Sequence, residues 1–253
     1  MNPVLIIVGN KFEHFADQHP SVLTVDHFLK MVISKDERLQ SQSHTVIFGQ
    51  GISFDQQMKL RHQIKTQYSF NKIYIYPAKI ERKAKDCYTH KNFSKNTLIS
   101  EPKRLSISSF ECFLWIDDEC AELSDHVTGQ HIQGMVLIEA ARQMTLAVTE
   151  KFYIPDNNRK KVSFLTHELI STFYDYIFPT PVQLQYEILK HRKMHGSNQT
   201  FLVKMKCLQL DKVKTSIQFR FSVLSKKILA EKEQLMAVRT ISNTARLLEK
   251  NNV

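Results

Sequence analysis

The chain has 253 residues, 42% of them hydrophobic and 24% charged, an ordinary globular composition with enough length for one large domain or two small ones. No stretch reaches the roughly 18 consecutive apolar residues of a membrane helix, and the apolar run Val4 to Val8 lacks a basic leader and a cleavage site, so the chain reads as cytoplasmic. The formal net charge of +10 admits nucleic acid, an anionic membrane surface, or acidic protein and phosphate partners, without choosing among them.

In chain order, Val4 to Val8, Val22 to Val32, Thr45 to Phe48, Phe54 to Ile64 and Ile73 to Tyr76 alternate apolar runs with helix-like segments. That order predicts a small α/β unit, βαβαβ, over residues 1–80. Its short strands are apolar throughout, which suits a parallel sheet covered on both faces. Gly49 and Gly51 read as turn glycines, because a phosphate loop needs a third glycine. The basic segment Lys79 to Lys85 marks a boundary.

After it, strands are predicted at Leu105 to Ile116, Val162 to Ile177, Val182 to Lys193, Thr200 to Gln209, Thr215 to Leu224 and Leu235 to Ile241, with one helix from about Gln130 to Phe152. A long central helix wrapped by an antiparallel sheet is the α+β order of a hotdog fold, here over residues 88–245. The cysteines Cys87, Cys112, Cys120 and Cys207 are far apart and lack metal-binding spacing; they read as reduced thiols.

The chemistry concentrates in residues 125 to 143, DHVTGQHIQGMVLIEAARQ. The second half of this run is apolar apart from Glu139, Arg142 and Gln143. Ionisable groups on a buried helix must be paired or line a cavity. Glu139 and Arg142 are three apart, so they share a face: a structural ion pair, or a carboxylate and guanidinium aimed into a substrate tunnel. Gly129 and Gly134 near the helix start let a ligand approach the backbone, whose free N–H groups suit an oxyanion. His126 and His131 stand as candidate functional or structural histidines. Neither has the HxxxH context of a zinc site. Neither metal nor cofactor is called for.

This run resembles the signature of the A-factor biosynthesis hotdog family, the AfsA-type butyrolactone synthases, with its Asp-His steps, Gly-Met, and Glu-Ala-x-Arg-Gln. Thr89-His90-Lys91 and Asn96 to Ser100 resemble the segment that precedes that motif. The resemblance implies transfer of a β-ketoacyl group from an acyl carrier protein or CoA thioester to a hydroxyl of a small phosphorylated acceptor such as dihydroxyacetone phosphate. It implies Glu139, Arg142 and His126 as catalytic residues, and His131, Gly134, Met135 and Gln143 as substrate-binding ones. Glu139, kept ionised by Arg142, would take the hydroxyl proton, or Arg142 would bind the phosphate.

Streptomycete-type synthases are similar to two fused hotdog units, whereas this chain has one motif; a homodimer would restore the pair. Arg159-Lys160-Lys161 and Lys190 to Lys193 are candidate docking clusters, or solvated loop charge. Phe164, Phe173, Tyr174, Tyr176 and Phe178 would line an acyl tunnel, or are plain core. Dehydration or hydrolysis of acyl thioesters, and a non-catalytic acyl-binding module, are the rival readings. No nucleic-acid-binding signature is present.

Overall fold

The computed structural model describes residues 2–68, 72–77, 81–124, 128–194 and 198–251. The first unit runs β1 (Val4–Val8), α1 (Glu13–Asp17), β2 (Val22–Thr24), α2 (Val25–Ser34), α3 (Glu37–Gln40), β3 (His44–Phe48), α4 (Phe54–Gln67) and β4 (Ile73–Tyr76). Its sheet is parallel in the order β2-β1-β3-β4. The expected helix from Val22 divides into a strand and a helix. Thr24 ends the strand and accepts from His27 N, capping α2 so that it begins at Val25.

The second unit runs α5 (Asp86–Thr89), β5 (Lys103–Arg104), β6 (Ser109–Phe113), α6 (Gly134–Phe152), β7 (Val162–Phe173), β8 (Gln183–Lys193), β9 (Gln199–Gln209), β10 (Lys212–Ser225) and α7 (Lys226–Asn251). Its antiparallel sheet has the order β5-β6-β8-β9-β10-β7. Alternate residues of β9, Phe201, Val203, Met205 and Cys207, point inward. They meet a helix whose Val136, Ala140, Ala141, Met144, Ala147 and Val148 are all buried. A helix apolar on so many sides needs a sheet curled around it. This is the hotdog arrangement.

Three expectations need correction. The segment Leu235 to Ile241 is not a strand but the middle of α7: its β-branched Val238, Thr240 and Ile241 are outweighed by the preceding Leu-Ala-Glu-Lys-Glu-Gln-Leu-Met-Ala, nearly all strong helix formers. The central helix begins at Gly134 rather than Gln130, because the Thr128 hydroxyl closes a turn through the N–H and C=O of His131 and Ile132 N donates to Ile177 O. The strand expected from Leu105 starts at Ser109, since Ser106 ties a turn at its start.

The two units meet at the carboxyl ends of β1 and β3. Gln50 acts there as an extra strand residue: its Nε2 donates to Leu114 O at 3.1 Å and its Oε1 accepts from Ile116 N at 2.9 Å. A Cβ on Gly49 would lie 2.1 Å from Pro179 O, and one on Gly9 would lie 2.2 Å from Asp118 Oδ1. These glycines serve close packing more than turning. Phe12, Phe15, Ala16 and Val22 join the core of the second unit, while Ile7, Phe28, Val46 and Leu60 form a separate one.

Candidate functional site

Two concavities lie against β7, one at each end. Around the start of α6, a cavity of about 540 Å³ is lined by His131, Ile132, Gly134, Leu137, Phe173 and Tyr176, among others. A Cβ on Gly134 would stand 2.8 Å from the far end of the Phe173 ring, so any larger residue here must push that half-exposed ring aside. The N–H groups of Gly134 and Met135 have no acceptor among the described residues. Such N–H groups at a helix start hold a developing oxyanion well. His131 packs its ring on Tyr176 at 4.8 Å, which makes it a wall of the cavity. Met135 is 70% exposed and is not among the residues that line the cavity.

Glu139 and Arg142 lie on another side of α6. At about 100° per residue, Glu139 falls roughly 200° around the helix from Leu137. Arg142 grips Glu139 through Nε and Nη2, both at 2.7 Å. Lys91 adds a contact at 2.8 Å and Gln143 a hydrogen bond at 3.0 Å. Burial would raise the Glu139 pKa, but the hydrogen bonds from Arg142, Lys91 and Gln143 outweigh it and hold the carboxyl at about 2. It is ionised and a poor base. Gln143 also accepts from Leu98 N and donates to Asn96 O, so it fastens the preceding loop to the helix. Lys91 bridges on to Glu122 at 2.9 Å.

Arg142 keeps Nη1 outside this pairing, and its side chain lines a groove of about 1080 Å³ with Lys85, Lys161, Lys226, Leu146 and Phe164. Lysine and arginine outnumber acids in its walls, with Glu150 and Asp156 the acidic members. Anions suit it.

The sequence-named residues therefore divide. His131 and Gly134 line one cavity, and Met135 is exposed outside its lining; Glu139, Arg142 and Gln143 form one bonded cluster elsewhere on α6. His126 lies outside the described residues. Of the aromatics, Phe173, Tyr174 and Tyr176 line the first cavity and Phe164 the groove; Phe178 instead stacks on Phe15 of the first unit at 5.6 Å. Arg159, Lys160 and Lys161 border the groove. Lys91 and Glu122 escaped sequence reasoning. Only the likeness of the His90-Lys91 segment to a family motif pointed to the former. Among the described residues no group of acids, histidines and cysteines has metal-binding geometry, and no helix is long and apolar enough to cross a membrane.

A single long helix inside an antiparallel sheet, with a glycine-opened helix start facing a cavity, defines a hotdog-fold protein. Residues 76–225 match the A-factor biosynthesis hotdog domain, more than half of the chain, and the chain belongs to that family. Similar solved structures include a mutant thioesterase of Pseudomonas aeruginosa (12% identity, TM-score 0.39, covering 53% of this chain and 87% of that one). A thioesterase of Haemophilus influenzae shares 11% identity at TM-score 0.37 over 53% and 84% of the two chains. An uncharacterized protein of Pyrococcus horikoshii shares 17% at 0.35 over 52% and 88%. No curated protein matches in sequence.

Proposed function

We propose that the protein is an acyltransferase that moves a β-ketoacyl group from a carrier-protein or CoA thioester to the hydroxyl of a small phosphorylated acceptor of the dihydroxyacetone phosphate type. The observation that carries this reading is the pair of concavities at opposite ends of β7. One is mainly apolar and aromatic and opens on free helix N–H groups; the other is cationic. The first suits an acyl chain and its thioester carbonyl, the second a phosphate held by the Nη1 edge of Arg142. Glu139 and Lys91 then position Arg142 instead of taking a proton. The substrate class itself comes from the family resemblance.

The reading includes a homodimer. β7 is the edge of its sheet and leaves Leu169, Ile170 and Phe173 between 43% and 49% exposed, the kind of edge that pairs with a copy of itself. Two-fold pairing of β7 runs antiparallel and sets the Phe173 end of one strand beside the Val162 end of the other. The acyl cavity of one subunit then adjoins the cationic groove of its partner.

Incubation with β-ketoacyl thioesters and dihydroxyacetone phosphate tests the reaction. Mass spectrometry should find the acyl ester, or its dehydrated butenolide, with one free thiol per ester. Free acid alone would assign hydrolysis instead, and an untouched thioester a binding module.

A further inference from the structure

The groove that holds Arg142 also holds a histidine with its own carboxylate. His90 Nε2 lies 3.0 Å from Glu150 Oε1. Glu150, on α6, is 4% exposed and is braced by Arg159, whose Nε donates to Glu150 O at 2.9 Å and stands 3.9 Å from Oε2. The imidazole packs edge-on to Phe164 at 5.5 Å. Both His90 and Glu150 line the groove together with Arg142.

The backbone is committed as well. His90 caps α5 with φ 55° in the left-handed region, a conformation that side chains avoid and that persists where the surroundings hold it. A buried carboxylate on Nε2 fixes which nitrogen keeps its proton, and Nδ1 has no hydrogen-bond partner among the described residues. A ring oriented through one nitrogen, with the other free in a substrate-sized groove, is the base-and-orienter arrangement of acyl-transfer sites.

We propose that His90 is the general base that activates the acceptor hydroxyl, and that Glu150 is its positioning residue. This rests on the transfer reading above and supplies the base that Glu139 cannot be. The acceptor's phosphate sits at Arg142 and its hydroxyl beside His90 Nδ1. As the hydroxyl oxygen attacks the thioester carbonyl, its proton passes to Nδ1 while the new C–O bond forms. The tetrahedral intermediate collapses with cleavage of the C–S bond, and the imidazolium returns the proton to the departing thiolate. The products are ester and thiol, and His90 ends as it began.

Two measurements on the full chain test this. Long-range proton–nitrogen NMR of histidine-labelled protein, with His90 assigned from the His90→Gln spectrum, should show the proton on Nε2 and a bare Nδ1 when the ring is neutral. Glu150→Gln should lose that preference. In the transfer assay, His90→Gln should slow turnover by about 10²- to 10⁴-fold with melting close to wild type, and added imidazole should restore part of the rate of His90→Ala. A neutral ring with its proton on Nδ1, or a His90→Gln protein that transfers at the wild-type rate, would overturn the assignment of His90 alone. Wild-type protein that transfers no acyl group to any hydroxyl acceptor overturns the transfer reading beneath it.

Discussion

The Glu139 carboxylate on α6 is held by Arg142 and Gln143 of its own helix and by Lys91 from outside it. Spacing alone put Glu139 and Arg142 on one face of a buried helix. Gln143 follows at the next turn of the same helix, but that Lys91 also loads the carboxylate depends on how the loop before β5 folds back, which no local pattern encodes. The difference has kinetic consequences. Arg142→Ala should raise the acceptor's KM by about tenfold or more and leave the thioester's KM nearly unchanged, as loss of a ground-state clamp does. Glu139→Gln removes the partner of two cations at a half-buried site, so it should lower stability by roughly 1–3 kcal/mol, below the 3–5 of a fully buried pair. Thermal melting and initial rates of the two variants check both.

Asp118 gives a second residue-scale test. Burial pushes its pKa up from 3.8 to about 6, against the backbone hydrogen bonds from Asn10 and Lys11. Its Oδ1 is buried without a hydrogen-bond partner and crowds the space beside Gly9 together with the Gly51 carbonyl. A raised folded-state pKa means that the fold favours the protonated acid. This contribution is fully present below about pH 4 and is lost as pH rises through about 6, with a ceiling of roughly 3 kcal/mol. Asp118→Asn carries an amide donor at every pH. It should melt higher than wild type at pH 7.5, with the difference shrinking through pH 5 and closing near pH 4; a constant difference between the two proteins across that range would remove Asp118 as the cause.

At the scale of elements, α6, β8, β9 and β10 were legible because each buries a long, regular pattern: helical for one, alternating for the others. α7 was not. Its side chains from Lys226 to Leu247 are almost all exposed, so no buried face imposes a period on that stretch, and three β-branched residues mimicked a strand. The start of α6 was misplaced for a different reason. Thr128 closes a turn onto His131 and Ile132 N bonds across to Ile177 O, and neither a side-chain turn nor a non-local bond leaves a periodic mark. Gly134 is where element and function meet. Gly134→Ala should drive the Phe173 ring into the cavity and lower kcat/KM for the thioester by about 10- to 100-fold, the scale of a misplacement near 1 Å. Stability should change by less than about 1 kcal/mol, because Ala suits a helix better than Gly. A variant with normal thioester kinetics would detach this cavity from the acyl chain.

At the scale of the molecule, composition and a basic linker suggested two units, and a parallel sheet followed by an antiparallel one shows why they read so differently. What the sequence concealed is how closely they join. Gln50, Gly9 and Gly49 form the contact, and a glutamine that completes another unit's backbone pairing looks like any loop residue. A chain beginning at Lys85 would leave Leu114 O and Ile116 N without Gln50 and strip Phe12 and Phe15 from the shared core. Water can take the place of Gln50 at those two groups, but the apolar surface that Phe12 and Phe15 cover is laid bare at roughly 25 cal/mol per Å², so the shortened protein should melt well below the full chain; equal melting temperatures would show the units to be independent.

On the proposed mechanism, an acyl group held by one subunit is transferred to an acceptor in the groove of its partner. Mixed dimers test it most directly. Gly134→Phe disables the acyl cavity and, at acceptor concentrations well below KM, Arg142→Ala disables the groove, so each variant alone should then keep no more than about a tenth of the wild-type rate. Refolded together in equal amounts, half of the dimers pair one of each, and every such dimer regains one intact site, so activity should return to roughly a quarter of wild type by two-fold symmetry. A mixture no more active than its separate components would place both cavities' work within one subunit and contradict the account.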